Sequence, residues 1–371
     1  MTAILQQPTR PTAPSTTTPP RSGGVAVVVG TRPEIFQLAP VLCELGDLAR
    51  VVRVGRDLPA FTEQPPVFHD TPADPRSGRI AVALDRLDRV FAEDRPDVVV
   101  VRGATTTALA GALAANSNGI PLVHVDAGLR SRDLTVPEEH NRVLVDRLSD
   151  VLCAPTRTAV ANLHTEGLGG KDIRLTGNTT AEAVGHRLIA EADRWKVLDK
   201  WGLTPDDYVL ATLDRPENVD HPALTRELAR LARAGYPVVL PADPATRAAL
   251  IRSNALSGAT NLRVVNRLWH SEFLALASHA ALLVTDSGAV QEEATVLKRP
   301  VLVVRRSTER PEVLHHFGRL ASPDDLADAA LGWLAKGAAA RATLRDAPCP
   351  FGDGDSSTRI ARAVHDLVRA G

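Results

Sequence analysis

The chain has 371 residues, of which 44% are hydrophobic and 23% charged, and its formal net charge is −1. This length predicts two domains, because a single hydrophobic core seldom grows beyond about 250–300 residues. The near-neutral charge leaves no basic excess for binding nucleic acid or an anionic membrane surface. No apolar run is long enough to span a membrane, and Met1–Ser22 lacks the apolar centre of a signal peptide. We therefore expect a cytoplasmic protein.

The first 24 residues are rich in Pro, Thr and Ser and are predicted to form a disordered tail. After this tail, apolar runs of strand length alternate with helical patterns. The predicted strands are Val25–Val29, Arg50–Val54, Val98–Arg102, Leu122–Val125, Val151–Ala154 and Ile173–Thr176. The predicted helices are Ile35–Leu45, Gly78–Ala92, Thr105–Ala115, Pro137–Leu148 and Thr156–Glu166. This alternation is typical of an α/β fold, and it predicts a doubly wound parallel sheet in a first domain over residues 25–186.

A long polar helix over Thr179–Trp201 is predicted to connect this domain to a second one over residues 187–356. The alternation restarts there with the strands Tyr208–Leu213, Val238–Leu240, Leu262–Val265, Leu282–Thr285 and Val301–Val304. A final amphipathic helix within residues 357–371 is expected to pack back on the first domain. Two Rossmann-like domains would face a central cleft, which is where ligands bind in open parallel sheets. Neither first strand–helix turn carries G-x-G-x-x-G, so we expect no nicotinamide or flavin cofactor.

The stretch from Thr285 to Glu293 joins a predicted strand to a predicted helix. Free amides at such a corner, together with the positive end of the helix dipole, favour binding of a phosphate or diphosphate. Glu293 follows about a turn and a half later, where its carboxylate can accept hydrogen bonds from a ribose diol. The alternative is an ordinary helix start without a ligand.

Motifs at the strand ends and helix starts recur in a fixed order along the chain. They read Gly30-Thr-Arg-Pro-Glu34, Gly103-Ala-Thr-Thr-Thr107, His124-Val-Asp-Ala-Gly-Leu-Arg130, Pro137-Glu-Glu-His-Asn-Arg142, Thr176-Gly-Asn-Thr179, Thr285-Asp-Ser-Gly288, Gln291-Glu-Glu-Ala294, Thr308-Glu-Arg-Pro-Glu312 and Phe351-Gly-Asp-Gly354. From about Val25 to Leu367 the chain thereby resembles the UDP-N-acetylglucosamine 2-epimerases, above all the non-hydrolysing bacterial branch. The resemblance implies a two-domain fold like that of GT-B glycosyltransferases, a homodimer, and no metal or redox cofactor.

The resemblance also implies roles for individual residues, with UDP held by the second domain and the sugar directed at the first. The backbone at Ser287, Gly288 and Ala289 would take the diphosphate, Glu293 the ribose, and Phe273 would border the uracil. Arg32 would approach the nucleotide, while Arg142 and Arg310 would supply charge near the diphosphate and sugar. A guanidinium matches phosphate oxygens in bidentate fashion, which agrees with these roles. The alternative for any one of these arginines is a surface ion pair.

Several positions depart from the pattern of the family, whose reaction removes the proton at sugar C2 as UDP leaves C1. Ala104 replaces an Asp, Asp126 replaces a Glu, Gln37 replaces a Lys, and Asp214 replaces a His, whereas the glutamate at Glu138 is kept. The second-domain motif P-V-H-x-N-P also lacks its histidine. The motifs that hold the nucleotide survive, while polar groups that handle the sugar are largely replaced.

Asp126, Glu138 and Asp214 are the remaining candidates for the acid and base. Each has an alternative interpretation. Asp126 would be a strand-end carboxylate paired with Arg130 or Arg142, Glu138 a helix-start charge favoured by the dipole, and Asp214 a product of drift.

Three functions are compatible with these residues. The first is an isomerase acting at C2 of UDP-N-acetylglucosamine or a close UDP-amino sugar, in a pathway such as secondary-metabolite biosynthesis. The second is an altered reaction on the same ligand, either hydrolysis or elimination that stops at the glycal, and the third is a UDP-sugar-binding protein. Family members can be activated by a second UDP-sugar through a glutamine–histidine stretch after the second strand. Here that stretch reads Gly55-Arg56-Asp57-Leu58, so we predict no such activation.

Overall fold

The structure is a computed structural model that describes residues 23–54, 76–219, 221–252 and 258–370. The described residues form two parallel sheets. The first sheet contains β1 (Val25–Val29), β2 (Ala49–Arg53), β3 (Val98–Arg102), β4 (Leu122–Val125), β5 (Val151–Ala154) and β6 (Asp172–Leu175). The second sheet contains β7 (Val209–Thr212), β8 (Val238–Ala242), β9 (Leu262–Asn266), β10 (Leu282–Thr285), β11 (Val301–Val304) and β12 (Gly318–Ala321).

Both sheets are doubly wound. The strand orders are β2-β1-β3-β4-β5-β6 and β12-β11-β10-β7-β8-β9, and the neighbouring strands run parallel. The order therefore reverses between β1 and β3 in the first sheet and between β7 and β10 in the second. A crevice opens at such a reversal beyond the carboxyl ends of the strands.

Helices cover both faces of each sheet. In the first half they are α1 (Arg32–Leu45), α2 (Arg76–Glu93), α3 (Thr106–Ser117), α4 (Pro137–Leu148), α5 (Arg157–Thr165) and α6 (Thr179–Arg187). The second half contains α7 (Glu191–Trp201), α8 (Pro216–Val219), α9 (Pro222–Arg233), α10 (Pro244–Arg252), α11 (His270–Ala277), α12 (Gly288–Val296), α13 (Val313–His316), α14 (Leu326–Leu334) and α15 (Gly337–Arg345). The last helix, α16 (Ser356–Ala370), returns to the first half.

Burial on both faces explains why the strands read as continuous apolar runs. Every residue of β1 and β3 is buried, as are those of β10 and β11. Separate hydrophobic clusters lie on the two sides of each sheet, and they stabilise the sheet by removing apolar surface from water. The strands that these runs predict are all present. No helix among the described residues is long and apolar enough to cross a membrane.

Two predictions about the elements were wrong. The predicted connecting helix over Thr179–Trp201 is two helices, α6 and α7, because the helical backbone ends at Arg187 and resumes at Glu191. The first of them is not a polar connector: all of its residues from Thr179 to Val184 are buried against α1, α11 and α12. The sequence reading also missed β12, whose residues Gly-Arg-Leu-Ala carry no apolar run.

The chain passes between the two halves twice, and the two crossings lie together. The amide of Asn178 donates to the carbonyl oxygen of Phe351 at 2.9 Å. Glu182 on α6 accepts from the Ser356 hydroxyl at 2.6 Å and from the Ser357 amide at 2.8 Å, which fixes the start of α16. This last helix then packs Ile360 and Val364 into the cluster under the first sheet.

Candidate active site

A cavity of about 350 Å³ lies between the two halves at the carboxyl ends of the strands. Its wall on the first-sheet side consists of Pro33, Phe36 and Gln37 from α1 and Thr180, Ala183 and Arg187 from α6. Its wall on the second-sheet side consists of Thr212, Asp214, Pro241, Arg267, Leu268, Trp269, His270, Ser271, Phe273, Ser287, Ala289, Val290 and Glu293. Five predicted site residues thus line one cavity, namely Phe273, Ser287, Ala289, Glu293 and Asp214.

The corner between β10 and α12 forms part of the second wall. Ser287 is the N-cap, and Gly288 and Ala289 are the first residues of α12, so their amides have no acceptor in a preceding helical turn. Gly288 lies directly against the guanidinium of Arg310, and a Cβ added there would come within 2.5 Å of Nη1. Glycine therefore brings a cation against the positive end of α12, a combination that favours an anion.

Glu293 on α12 is buried beside the cavity. Its Oε1 lies 2.8 Å from Nε2 of His270, whereas its Oε2 is buried and has no hydrogen-bond partner among the described residues. His270 in turn stacks on Phe36 of α1, with the rings 6.2 Å apart and inclined by 8°. The guanidinium of Arg187 lies 3.8 Å above the Phe36 ring. These contacts join the two walls of the cavity.

Asp214 follows β7 and is about half exposed, facing the cavity. The loop that carries it is fixed from below by Asp286, whose carboxylate accepts from the amides of Asp214 and Arg215 at 3.0–3.2 Å. Nη2 of Arg267 donates to Asp214 at 2.8 Å. The pKa of Asp214 is nevertheless raised, because the cleft desolvates the carboxylate and the charges of Asp286 and Asp243 repel it.

Asp126 lies deeper, where β4 ends. It is buried and has a left-handed backbone conformation, with φ of 65°, which is uncommon for any residue but glycine. Its carboxylate forms an ion pair with Arg102 at 2.6 Å and accepts from the side-chain amide of Asn178 at 3.2 Å. The alternative interpretation, in which Asp126 pairs with Arg130 or Arg142, was wrong about the partner, since the guanidinium beside it belongs to Arg102.

Arg142 and Arg310 belong to a buried network of charges that crosses between the two halves. Arg142 on α4 pairs with Glu139 at 2.7 Å and, across the cleft, with Glu309 at 3.2 Å. Arg310 pairs with Glu309 and donates to Glu292 at 2.6 Å. The alternative interpretation, a surface ion pair, is wrong for Arg142 and Arg310, because both are buried.

The two carboxylates that pair with Arg310 differ in their pKa values. Although burial alone would raise the pKa of Glu309, three surrounding guanidiniums outweigh it and lower the pKa below its usual range. For Glu292 burial dominates and raises the pKa, in spite of the charge of Arg310, and the nearby Asp126 acts in the same direction. The pKa values of these two buried glutamates are therefore shifted in opposite directions.

The remaining predicted residues lie apart from the cavity or cannot be placed. Glu138 is exposed in the first turn of α4 and does not line the cavity. The next residue, Glu139, is the buried glutamate, and it accepts from the amides of Ser131 and Arg132 at 3.1 and 2.8 Å. Arg32 begins α1, but its side chain lies outside what the structure describes, as does the whole stretch Gly55–Leu58.

Sequence reasoning missed three residues of the site: Arg102, His270 and Glu292. Arg102 directly precedes the Gly103 motif and ends a strand, which was a usable signal for a residue at the cleft. His270 starts a helix three residues before Phe273, so it shares a helix face with a predicted site residue. Glu292 stands inside a recognised motif, but only burial distinguishes it from Glu293.

The chain is similar to proteins of one family over most of its length. A family model described as UDP-N-acetylglucosamine 2-epimerase matches residues 60–365. A UDP-N-acetylglucosamine 2-epimerase from Methanococcus maripaludis is 32% identical over 366 residues, covering 92% of this chain and 98% of the relative. A UDP-2,3-diacetamido-2,3-dideoxy-D-glucuronate 2-epimerase from Pseudomonas aeruginosa is 33% identical over 292 residues, covering 76% of this chain and 79% of that protein.

Among solved structures, the Methanocaldococcus jannaschii UDP-GlcNAc 2-epimerase in complex with UDP-GlcNAc and UDP superposes with a TM-score of 0.79 at 31% identity. The match covers 92% of this chain and 99% of that one. The expected GT-B-like pair of doubly wound domains is therefore confirmed. By its sequence and its fold, the chain belongs to the UDP-N-acetylglucosamine 2-epimerase family of isomerases.

Proposed function

We propose that the protein epimerises C2 of UDP-N-acetylglucosamine, or of a close UDP-amino sugar, in the cavity between its two halves. The nucleotide lies on the second-sheet side and the sugar faces α1, α6 and the end of β4. The carrying observation is the Glu293 carboxylate, which is buried beside the cavity with Oε2 unpartnered among the described residues. A buried oxygen without a partner costs free energy, and a ribose hydroxyl donating to it would remove that cost.

The diphosphate would lie at the start of α12. The amides of Gly288 and Ala289 are directed away from the helix there, and the guanidinium of Arg310 lies beside them. Arg142 and Arg310 both pair with Glu309, so the anion Glu309 holds this positive charge in place without neutralising all of it. Fixed donors of this kind stabilise the negative charge that grows on UDP as the C1–O bond breaks.

The reaction then needs a base and an acid on opposite faces of the sugar. A carboxylate takes the proton from C2 while the C1–O bond breaks, which gives the glycal and UDP. Re-addition of UDP to C1, with a proton delivered to the other face of C2, gives the epimer. We assign Asp126 as the base on the first-sheet side and Asp214, with its raised pKa, as the acid on the second. Glu138 remains a candidate only if its exposed turn moves towards the sugar.

Two sugars are candidates for the substrate, since one relative is named for a diacetamido-glucuronate substrate. Arg187 and Arg267 line the cavity in this chain. Such guanidiniums would suit a sugar carboxylate, so a UDP-diacetamido-uronate is the second candidate substrate.

NMR spectroscopy of the purified protein with UDP-N-acetylglucosamine in D₂O tests the proposal. We expect deuterium at C2 together with the manno epimer. Release of UDP with free sugar or glycal would replace epimerisation by hydrolysis or arrested elimination. Binding without any exchange, for the acetylglucosamine and the uronate substrates alike, would make the protein a UDP-sugar binder and refute the proposed function.

We also propose, from the family resemblance, that the protein acts as a homodimer in the cytoplasm. If the protein is a homodimer, light scattering of the purified protein will give twice the chain mass. If it is cytoplasmic, fractionation of the source cells will recover it with the cytoplasmic enzymes.

A further inference from the structure

Arg102 is a buried cation at the sugar end of the site, although no motif pointed to it. It ends β3 and its side chain is only 8% exposed. Burying a guanidinium is costly unless its N–H groups find partners. Here Nη2 pairs with Asp126 at 2.6 Å and donates to the Thr180 hydroxyl at 3.0 Å, while Nε donates to the Thr179 hydroxyl at 3.3 Å. The remaining nitrogen, Nη1, donates to the side chain of Gln37.

These partners tie the cation to the wall of the cavity. Gln37 and Thr180 both line the cavity on the first-sheet side, one from α1 and the other from α6. Arg102 therefore joins three elements, α1, α6 and the end of β4, at one point. Across the cleft its Nη2 lies 4.0 Å from Oε2 of Glu292, a buried oxygen that has no hydrogen-bond partner among the described residues.

Asp126 depends on this cation for its orientation. Its backbone has the unfavourable left-handed conformation, and two side chains, Arg102 and Asn178, fix its carboxylate. A strained residue is kept in place only when its surroundings determine its position. Since a short displacement of an acid or base lowers the rate steeply, a residue that orients Asp126 controls the chemical step more than the binding of UDP.

From this geometry we infer that Arg102 is the positioning residue of the site: it orients the Asp126 carboxylate towards the sugar and holds Gln37 and Thr180 in the cavity wall. The inference rests on the proposed function. It goes beyond that function because it gives Arg102, a residue outside the family motifs, a role in orienting the base. The substitution Gln37→Lys would bring a positive charge close to the place of the Arg102 guanidinium, because the Gln37 side-chain oxygen already contacts that guanidinium.

The test compares the wild type with Arg102→Gln, Arg102→Lys and the double variant Arg102→Gln/Gln37→Lys, using UDP-N-acetylglucosamine as substrate. We expect kcat for epimerisation to fall about 10²-fold in Arg102→Gln, as for the loss of one oriented donor, with the Kd for UDP within about twofold. The kcat of Arg102→Lys should lie between those of the wild type and Arg102→Gln, because lysine keeps the charge but not the forked geometry of the guanidinium. The double variant should recover about tenfold of the lost rate, which the loss of a merely structural contact would not allow.

Arg50→Gln is the matched control. It removes a different ion pair of the first sheet, the partly buried one with Asp94, and Arg50 does not line the cavity, so its kcat should equal that of the wild type. If the wild type is active and Arg102→Gln keeps its kcat, the inference is wrong while the proposed function stands. A rise in the Kd for UDP as large as the fall in kcat, or a double variant no faster than Arg102→Gln, would also overturn it. Absence of turnover in the wild type instead refutes the proposed function itself.

Discussion

The Asp214 side chain is about half exposed, yet desolvation in the cleft and two neighbouring carboxylates oppose its ionisation. One guanidinium, that of Arg267, compensates in part, at 2.8 Å. Asp243 contacts the same guanidinium at 3.3 Å, but its pKa is lowered, whereas that of Asp214 is raised. Although partial burial would raise the pKa of Asp243, hydrogen bonds from the amide and hydroxyl of Thr246 and from Arg267 lower it. Two neighbouring aspartates thus have opposite pKa shifts, and sequence alone does not distinguish them.

These opposite shifts predict opposite effects of pH on stability. A carboxylate with a raised pKa in the folded state destabilises the protein above that pKa, and the penalty disappears below the ordinary value of about 3.9. Asp214→Asn should therefore raise the Tm at pH 7, and the gain should vanish as the pH falls through the raised pKa towards that ordinary value. Thermal unfolding of the variant and the wild type over pH 3–8, measured by calorimetry, checks this.

Asp243→Asn is the control for that experiment. Because the pKa of Asp243 is lowered, its charge stabilises the folded state above the ordinary value, and this stabilisation is lost as the pH falls through the lowered pKa. The variant should have a lower Tm than the wild type at pH 7. If both variants shifted the Tm in the same direction, the assignment of opposite shifts would be wrong.

At the level of single elements, the corner that begins α12 carries most of the candidate nucleotide site. Its shape comes from β10, which ends at Thr285, and from a glycine whose missing side chain leaves room for Arg310. The guanidinium cannot simply move away, because it is buried and bonded to Glu292 and Glu309. The close approach of Gly288 and Arg310 therefore fixes both the helix start and the cation beside it.

Gly288→Ala should disturb this corner. Its Cβ would come within 2.5 Å of Nη1 of Arg310, so we expect a loss of about 1–3 kcal/mol in the free energy of unfolding and a weaker affinity for UDP. Denaturant unfolding and calorimetric titration with UDP measure the two effects.

Gly332→Ala is the control for this variant. Gly332 is exposed within α14, and apart from its chain neighbours and its own helix backbone no atom of the described residues would lie within 4 Å of its added Cβ. That variant should be unchanged in UDP affinity and more stable by about 0.5–1 kcal/mol, because alanine is the better helix former. An unaltered UDP affinity in Gly288→Ala would argue against a diphosphate at this corner.

The whole molecule is held together by charged and aromatic contacts across the cleft as well as by its two cores. Arg142 reaches Glu309, and Phe36 stacks on His270 of the opposite wall. Both contacts join the two halves, and the second of them lines the cavity. The two chain crossings meet where the Asn178 amide donates to the Phe351 carbonyl oxygen.

The kinetics of the whole molecule should be simple. Since the stretch Gly55-Arg56-Asp57-Leu58 lacks the glutamine–histidine pattern associated with activation by a second UDP-sugar, we predict one class of ligand site per chain. Initial rates of epimerisation should rise hyperbolically with UDP-N-acetylglucosamine, with a Hill coefficient of about 1. Sigmoidal rates, or a higher rate when a second UDP-sugar is added, would contradict this.

The two parallel sheets and the family follow from the sequence alone, because runs of valine and ordered motifs at strand ends are local properties of the chain. The sequence also identified the residues at the start of α12 and Glu293 as candidates for binding the nucleotide. It did not identify the break between α6 and α7, nor β12, since burial of a polar segment or of a short strand depends on what packs against it. Three features of the site emerge only in the folded structure. Arg102 contacts Asp126, Glu139 is buried while Glu138 is exposed, and the pKa values of Asp214 and Asp243 shift in opposite directions. Ion pairs, burial and pKa shifts depend on distances between residues far apart in the chain, and only folding sets those distances.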